Sequence, residues 1–129
     1  MGEPTFENEL FRIELELDGT LVRITRSAAP VDDLGRFAAH VAELGGALES
    51  IRARAALMDL RDAPGRNDPE FEAASEHWRR LITTRFAKVA VLVRTQAGRL
   101  QVQRLGRQDR RVPHVFLDEN EALEYLTSG

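Results

Sequence analysis

The chain contains no cysteine, a single lysine and no long apolar run. Without cysteine there is no disulfide frame, no thiol nucleophile and no thiolate-ligated zinc. The longest unbroken apolar stretches, such as Val89-Ala90-Val91-Leu92-Val93, are a fraction of the roughly 20 residues that a membrane helix needs. Met1-Gly2-Glu3-Pro4-Thr5-Phe6-Glu7 has neither a basic start nor an apolar core, so no secretory signal and a cytoplasmic location are expected. An excess of one charge is also missing. With 18 basic and 21 acidic side chains the net charge is −3, which exerts no general pull towards nucleic acid or anionic lipid. Lys88 is the sole lysine, so the remaining positive charge is arginine. Abundant Arg and Ala fit a GC-rich bacterial genome; selection for bidentate anion contacts is the alternative.

What is present suits one globular domain. The 129 residues are 43% apolar and 30% charged, enough for a single core and too few for two domains. Residues 1–8 read as a polar leader and 9–129 as the domain. Over 9–17, Phe11, Ile13, Leu15 and Leu17 alternate with charges, which predicts a strand with one wet face. Asp18-Gly19 is a hairpin signal, and Leu21-Val22-Arg23-Ile24-Thr25-Arg26 returns. After Pro30 the period changes, with Val31, Leu34, Phe37, Ala38, Val41, Leu44, Leu48 and Ile51 forming one helical stripe. Gly45-Gly46 predicts an end near Leu44 or a kink on the way to Glu49. Short apolar runs at 55–60 and 88–93 predict buried strands. Between them, Asp68-Pro69-Glu70 opens a helix whose inner face carries Phe71, Ala74, Ser75, Trp78, Leu81, Ile82 and Phe86. A helix over 97–111, an edge strand over 112–117 containing Pro113, and a helix capped by Asp118 and Glu121 complete the chain. The expected fold class is α/β, a mixed sheet of about five strands. A hairpin opens it, and alternating β-α units with right-handed crossovers follow.

This order resembles the STAS and SpoIIAA-like group, the anti-sigma-factor-antagonist fold that also covers Sec14-type domains. Three places carry the resemblance: Ala55-Ala56-Leu57-Met58-Asp59-Leu60-Arg61, Lys88-Val89-Ala90-Val91-Leu92-Val93, and the closing strand and helix from Val115 through Glu121-Ala122-Leu123 to Leu126. It implies a regulatory module that binds a protein partner and is compatible with a homodimer. Phosphorylatable members carry a serine at the start of the helix after the central strand, where this chain has Pro69. The resemblance therefore implies a branch without kinase switching, for which small apolar or lipid-like ligands have been suggested.

The segment after the central strand is the first candidate site, because ligands of open α/β sheets gather at strand carboxyl ends. It offers Asp59, Arg61, Asp62, Gly65, Arg66, Asn67 and Asp68, with Arg61 and Arg66 beside a helix start suited to anions. The plainer alternative is that the acids cap the loop and pair with the arginines, while Pro64-Gly65 only turns the chain. Arg54 and Arg85 are further candidates for pairing with acids at the sheet ends. Arg99, Arg104, Arg107, Arg110 and Arg111 cluster on one helix and the loop after it, which reads mainly as a solvated face. His40, His77 and His114 lack metal-ligand spacing, and no nucleophile elbow or glycine-rich phosphate loop is present. Neither enzyme, metal nor cofactor is expected. Two functions remain: a non-enzymatic protein-interaction module acting through residues 62–80, or a carrier or sensor for a small apolar or lipid-like ligand. A deep apolar pocket would favour the second, and a flat exposed apolar patch the first.

Overall fold

A computed structural model describes residues 4–66 and 68–128. Six strands form one sheet in sequential order: β1 (Phe6–Glu7), β2 (Phe11–Glu16), β3 (Leu21–Arg26), β4 (Ala55–Asp59), β5 (Lys88–Leu92) and β6 (His114–Phe116). The pairs β1–β2 and β2–β3 are antiparallel, and the rest are parallel. The expected five strands therefore become six. The extra one lies in the segment read as a leader, where Phe6 pairs with Ile13 and the Thr5 amide bonds the Ile13 carbonyl at 2.8 Å. Two residues are too few to show a period, which is why the pattern does not reveal it. The hairpin forms as expected, with Leu17, Asp18 and Gly19 at positive φ in the loop. Glycine takes that conformation without strain, and Asp tolerates it.

A parallel sheet whose sequential strands step in one direction puts every right-handed crossover on the same face. That face carries α1 (Leu34–Leu48), α2 (Pro69–Ala74), α3 (Glu76–Arg85) and α4 (Gln96–Gln108), and α5 (Glu119–Thr127) packs on the other. Phe11, Ile13, Val22, Ile24, Ala56, Met58 and Val91 meet Phe37, Val41, Leu44 and Leu48 of α1 and Trp78 and Ile82 of α3. Leu21, Ala55, Leu57, Ala90 and Leu92 meet Ala122 and Leu126 of α5. The alternation of the strands sorts these residues between the two faces.

Three local expectations are corrected. Leu15 and Leu17, read as inward, are 46% and 54% exposed; Leu17 lies in the hairpin loop beyond the end of β2. The helix read as continuous after Pro69 breaks at Ser75, whose φ of −83° and ψ of −5° separate α2 from α3. Its hydroxyl donates to the Glu72 carbonyl at 3.1 Å, a local bond that competes with the helix ladder. Of the two outcomes expected at Gly45-Gly46, the helix runs on, and α1 reaches Leu48 with Glu49 as its cap. There the Arg85 side chain, rather than finding an acid, donates to the carbonyls of Leu48 at 2.7 Å and Ile51 at 3.0 Å. The edge position of β6 beside Pro113 is as expected. So is the Asp68 cap, which accepts from the Phe71 amide at 3.1 Å.

Candidate functional site

The expected site residues divide between two faces, with Asp59 turned towards α5 and Arg61, Gly65 and Arg66 bordering one cleft. Asp59 ends β4 at the same parity as Ala55 and Leu57, so its carboxylate points to the α5 face and is buried. It accepts from Arg61 Nη2 at 2.8 Å and the Arg61 amide at 3.1 Å. Glu119, in the first turn of α5, accepts from Arg61 at 2.9 Å and from Arg23 at 3.0 Å, and Arg23 also reaches Glu16 at 2.7 Å. Burial alone would push the Asp59 carboxyl up. The bonds from the Arg61 side chain and amide, with the charges of Arg61 and Arg23, outweigh it and hold the group below its ordinary value. The Arg23 hydrogen bond, reinforced by both guanidinium charges, lowers Glu119 likewise. This cluster is a closed ion-pair network that ties α5 to β3 and β4.

The rest of the loop is internally paired as well. Asp62 pairs with Arg94 at 2.8 Å in solvent. Arg66 pairs with Asp68 and donates to the Val31 carbonyl at 2.6 Å. Asp68 is thus both helix cap and counter-ion, so the α2 start is already occupied by its own acid. Gly65 stands exposed on a rim described below, and Asn67 lies outside the described residues. Of the cluster on α4, Arg104 pairs with Glu72 of α2.

What the loop borders is a cleft of about 750 Å³ between α3 and α4, an opening that no single sequence motif announces. Its floor is Met58 of β4 with Val89 and Val91 of β5 and Val93 just beyond, all on the helix-covered face. Trp78 and Ile82 line one wall, and Val102 and Leu105 the other. The space exists because α4 stands off the sheet. Gly106 is its only buried residue, and Leu100 is 57% exposed. The cause lies at the far end of that helix. A Cβ on Gly106 would lie 2.6 Å from Pro113 Cδ and 2.9 Å from the Arg111 carbonyl, so α4 is anchored where the chain crosses it closely. Arg79 of α3, on the cleft wall, donates to Asp109, just past α4, at 2.6 and 3.1 Å, and outside the cleft Arg104 of α4 reaches Glu72 of α2.

Arg26 lines this cleft and is only 3% exposed. Its neighbours at the same parity, Val22 and Ile24, are core residues, so the strand period carries a charge inward. That misplaced arginine is the one sequence signal that could have disclosed the site. Burial pushes its guanidinium pKa down. Among the described residues no group of three or more side chains is arranged to hold a metal. No helix among them is long and apolar enough to cross a membrane.

No family model and no curated protein matches this sequence. Among solved structures, the chain is similar to an uncharacterised protein of the DUF3478 family with a SpoIIAA-like fold from Shewanella loihica PV-4. The two share 17% identity with a TM-score of 0.61, over 90% of this chain and 91% of the other. That likeness establishes the fold. The domain is an α/β SpoIIAA-like one, as the resemblance in its strands and closing helix implies.

Proposed function

We propose that this domain is a non-enzymatic carrier or sensor that holds a small apolar or lipid-like ligand between α3 and α4. The observation that carries the reading is the cleft itself. Its volume of about 750 Å³ falls within the range of small-molecule sites, and its floor and walls are valines, Met58, Ile82, Leu105 and Trp78. Against that apolar floor water finds few polar partners, so displacing it there with hydrocarbon is favourable.

The protein-interaction reading through residues 62–80 has less behind it. Arg61 and Arg66, its expected contacts, already neutralise acids of their own chain. Its premise of no kinase switching does gain support. Pro69 occupies the first turn of α2, while Ser75 is buried and also accepts a bond from Arg79.

The test is a titration of the protein with 1-dodecanol, followed by the fluorescence of Trp78, the only tryptophan. Saturable one-to-one binding is expected, and calorimetry of Val91→Trp, whose indole would fill the floor of the cleft, should show none. A folded wild-type protein that shows no saturable response would refute the reading.

A further inference from the structure

An all-apolar ligand leaves one feature of the cleft unexplained. Arg26 is buried yet forms no ion pair with any described residue, and its side chain makes one hydrogen bond among them, from Nη1 to the Ser27 carbonyl at 2.6 Å. An arginine has five donors in a planar fork, and a buried charge without a counter-ion is strongly unfavourable. Other arginines along the cleft pair with acids, as Arg79 does with Asp109, or stand in solvent, as Arg111 does. A second donor also lacks a partner. The indole Nε1 of Trp78, which lines the same cleft, is buried and has no hydrogen-bond partner. Both residues neighbour Phe11. Arg26 faces Phe11 across the β2–β3 ladder, with side chains on one face, and the Trp78 ring meets the Phe11 ring edge-on at 5.2 Å.

We propose that the part of the cleft lined by Arg26 and Trp78 is a carboxylate site, and that the ligand is a single-chain aliphatic acid. Its carboxylate is held by the Arg26 fork and the Trp78 N–H, and its chain lies along Val91, Ile82 and Val102. The inference rests on the cleft being a ligand site, as proposed above. A carboxylate matches the fork geometrically and in charge, one anion to one buried cation. A phosphate monoester would bring nearly two negative charges to that single cation and leave a buried surplus. The apolar walls then select the chain, and the ion pair fixes its direction, head towards Arg26 and Trp78.

Calorimetric titration of the whole protein with dodecanoate, 1-dodecanol and dodecyl phosphate, each below its aggregation threshold, tests this. Dodecanoate is expected to bind about 10- to 100-fold tighter than dodecanol, the worth of a charge-assisted bond inside a protein. In Arg26→Met that preference should vanish while dodecanol still binds, and Arg26→Lys should restore part of it. Equal affinity of acid and alcohol for the wild-type protein would overturn the carboxylate site and leave the apolar cleft standing. Tighter binding of dodecyl phosphate than of dodecanoate would overturn the choice of head group. Binding of none of the three would remove the underlying reading as well. Should Arg26→Met fail to fold, the wild-type comparison and Arg26→Lys still decide.

Discussion

Single residues set where this domain is rigid and where it is hollow. Gly106 is the clearest case, because the chain at Arg111 to Pro113 crosses it too closely for any side chain. Gly106→Ala should destabilise the protein by about 1–3 kcal/mol through overpacking, measurable by denaturant unfolding. An unchanged midpoint would show that this crossing relaxes freely. Asp68 does a smaller job. Asp68→Ala removes a cap and the partner of Arg66, so the melting temperature should fall by a few degrees. Both roles differ in legibility. The Asp68-Pro69-Glu70 pattern names its own cap, whereas nothing local marks Gly106, whose need for bare backbone comes from residues later in the chain. Arg26 lies between these cases. Its parity with Val22 and Ile24 was readable, but only a cavity beside it gives that parity meaning.

Among the elements, α4 is the wall most free to move. It buries only Gly106, while β4 is buried throughout. Hydrogen exchange should therefore run faster in α4 than in β4 or β5, and slow when dodecanol occupies the cleft. Exchange in α4 as slow as in β4 would contradict that picture. The Arg79–Asp109 pair is the main tie between this wall and α3, with both side chains less than one-fifth exposed. Asp109→Ala should cost about 1–3 kcal/mol and speed ligand release, which stopped-flow fluorescence of Trp78 would read. The elements themselves were largely visible in the sequence. Ala55 to Leu60 and Lys88 to Val93 are too apolar to lie outside a sheet, and the stripe from Leu34 to Leu48 can only be a helix. Phe6–Glu7 was too short to signal, and the break at Ser75 was hidden because the apolar spacing continues across it. The cleft was hidden for a similar reason. Its lining, Val91, Ile82 and Val102, reads as ordinary core, and composition does not say whether an inward face meets another side chain or empty space.

At the scale of the whole molecule, α5 is fastened to the sheet by charge as well as by apolar contact. Asp59 and Glu119 have carboxyls held below their ordinary values of 3.8 and 4.5. A depressed folded-state pKa stabilises the protein above those ordinary values, and that contribution disappears as pH falls through the lower ones. Unfolding midpoints should accordingly drop steeply in acid below about pH 4. The drop should be shallower in Asp59→Asn, which is less stable at neutral pH but has less to lose. Parallel curves for the two proteins would show that the network does not couple folding to protons. Asp59 and Arg61 belong to this fastening, whereas residues 63–66 border the cleft on the opposite face, which is what remains available to a ligand.

Native mass spectrometry of the protein purified from its own host, without detergent or organic solvent, tests that cleft most directly. The expected spectrum contains the chain carrying one small apolar molecule, with the added mass absent from Val91→Trp prepared in the same way. A bare chain in both preparations, or one that carries only a second protein in fixed ratio, would contradict a ligand held between α3 and α4.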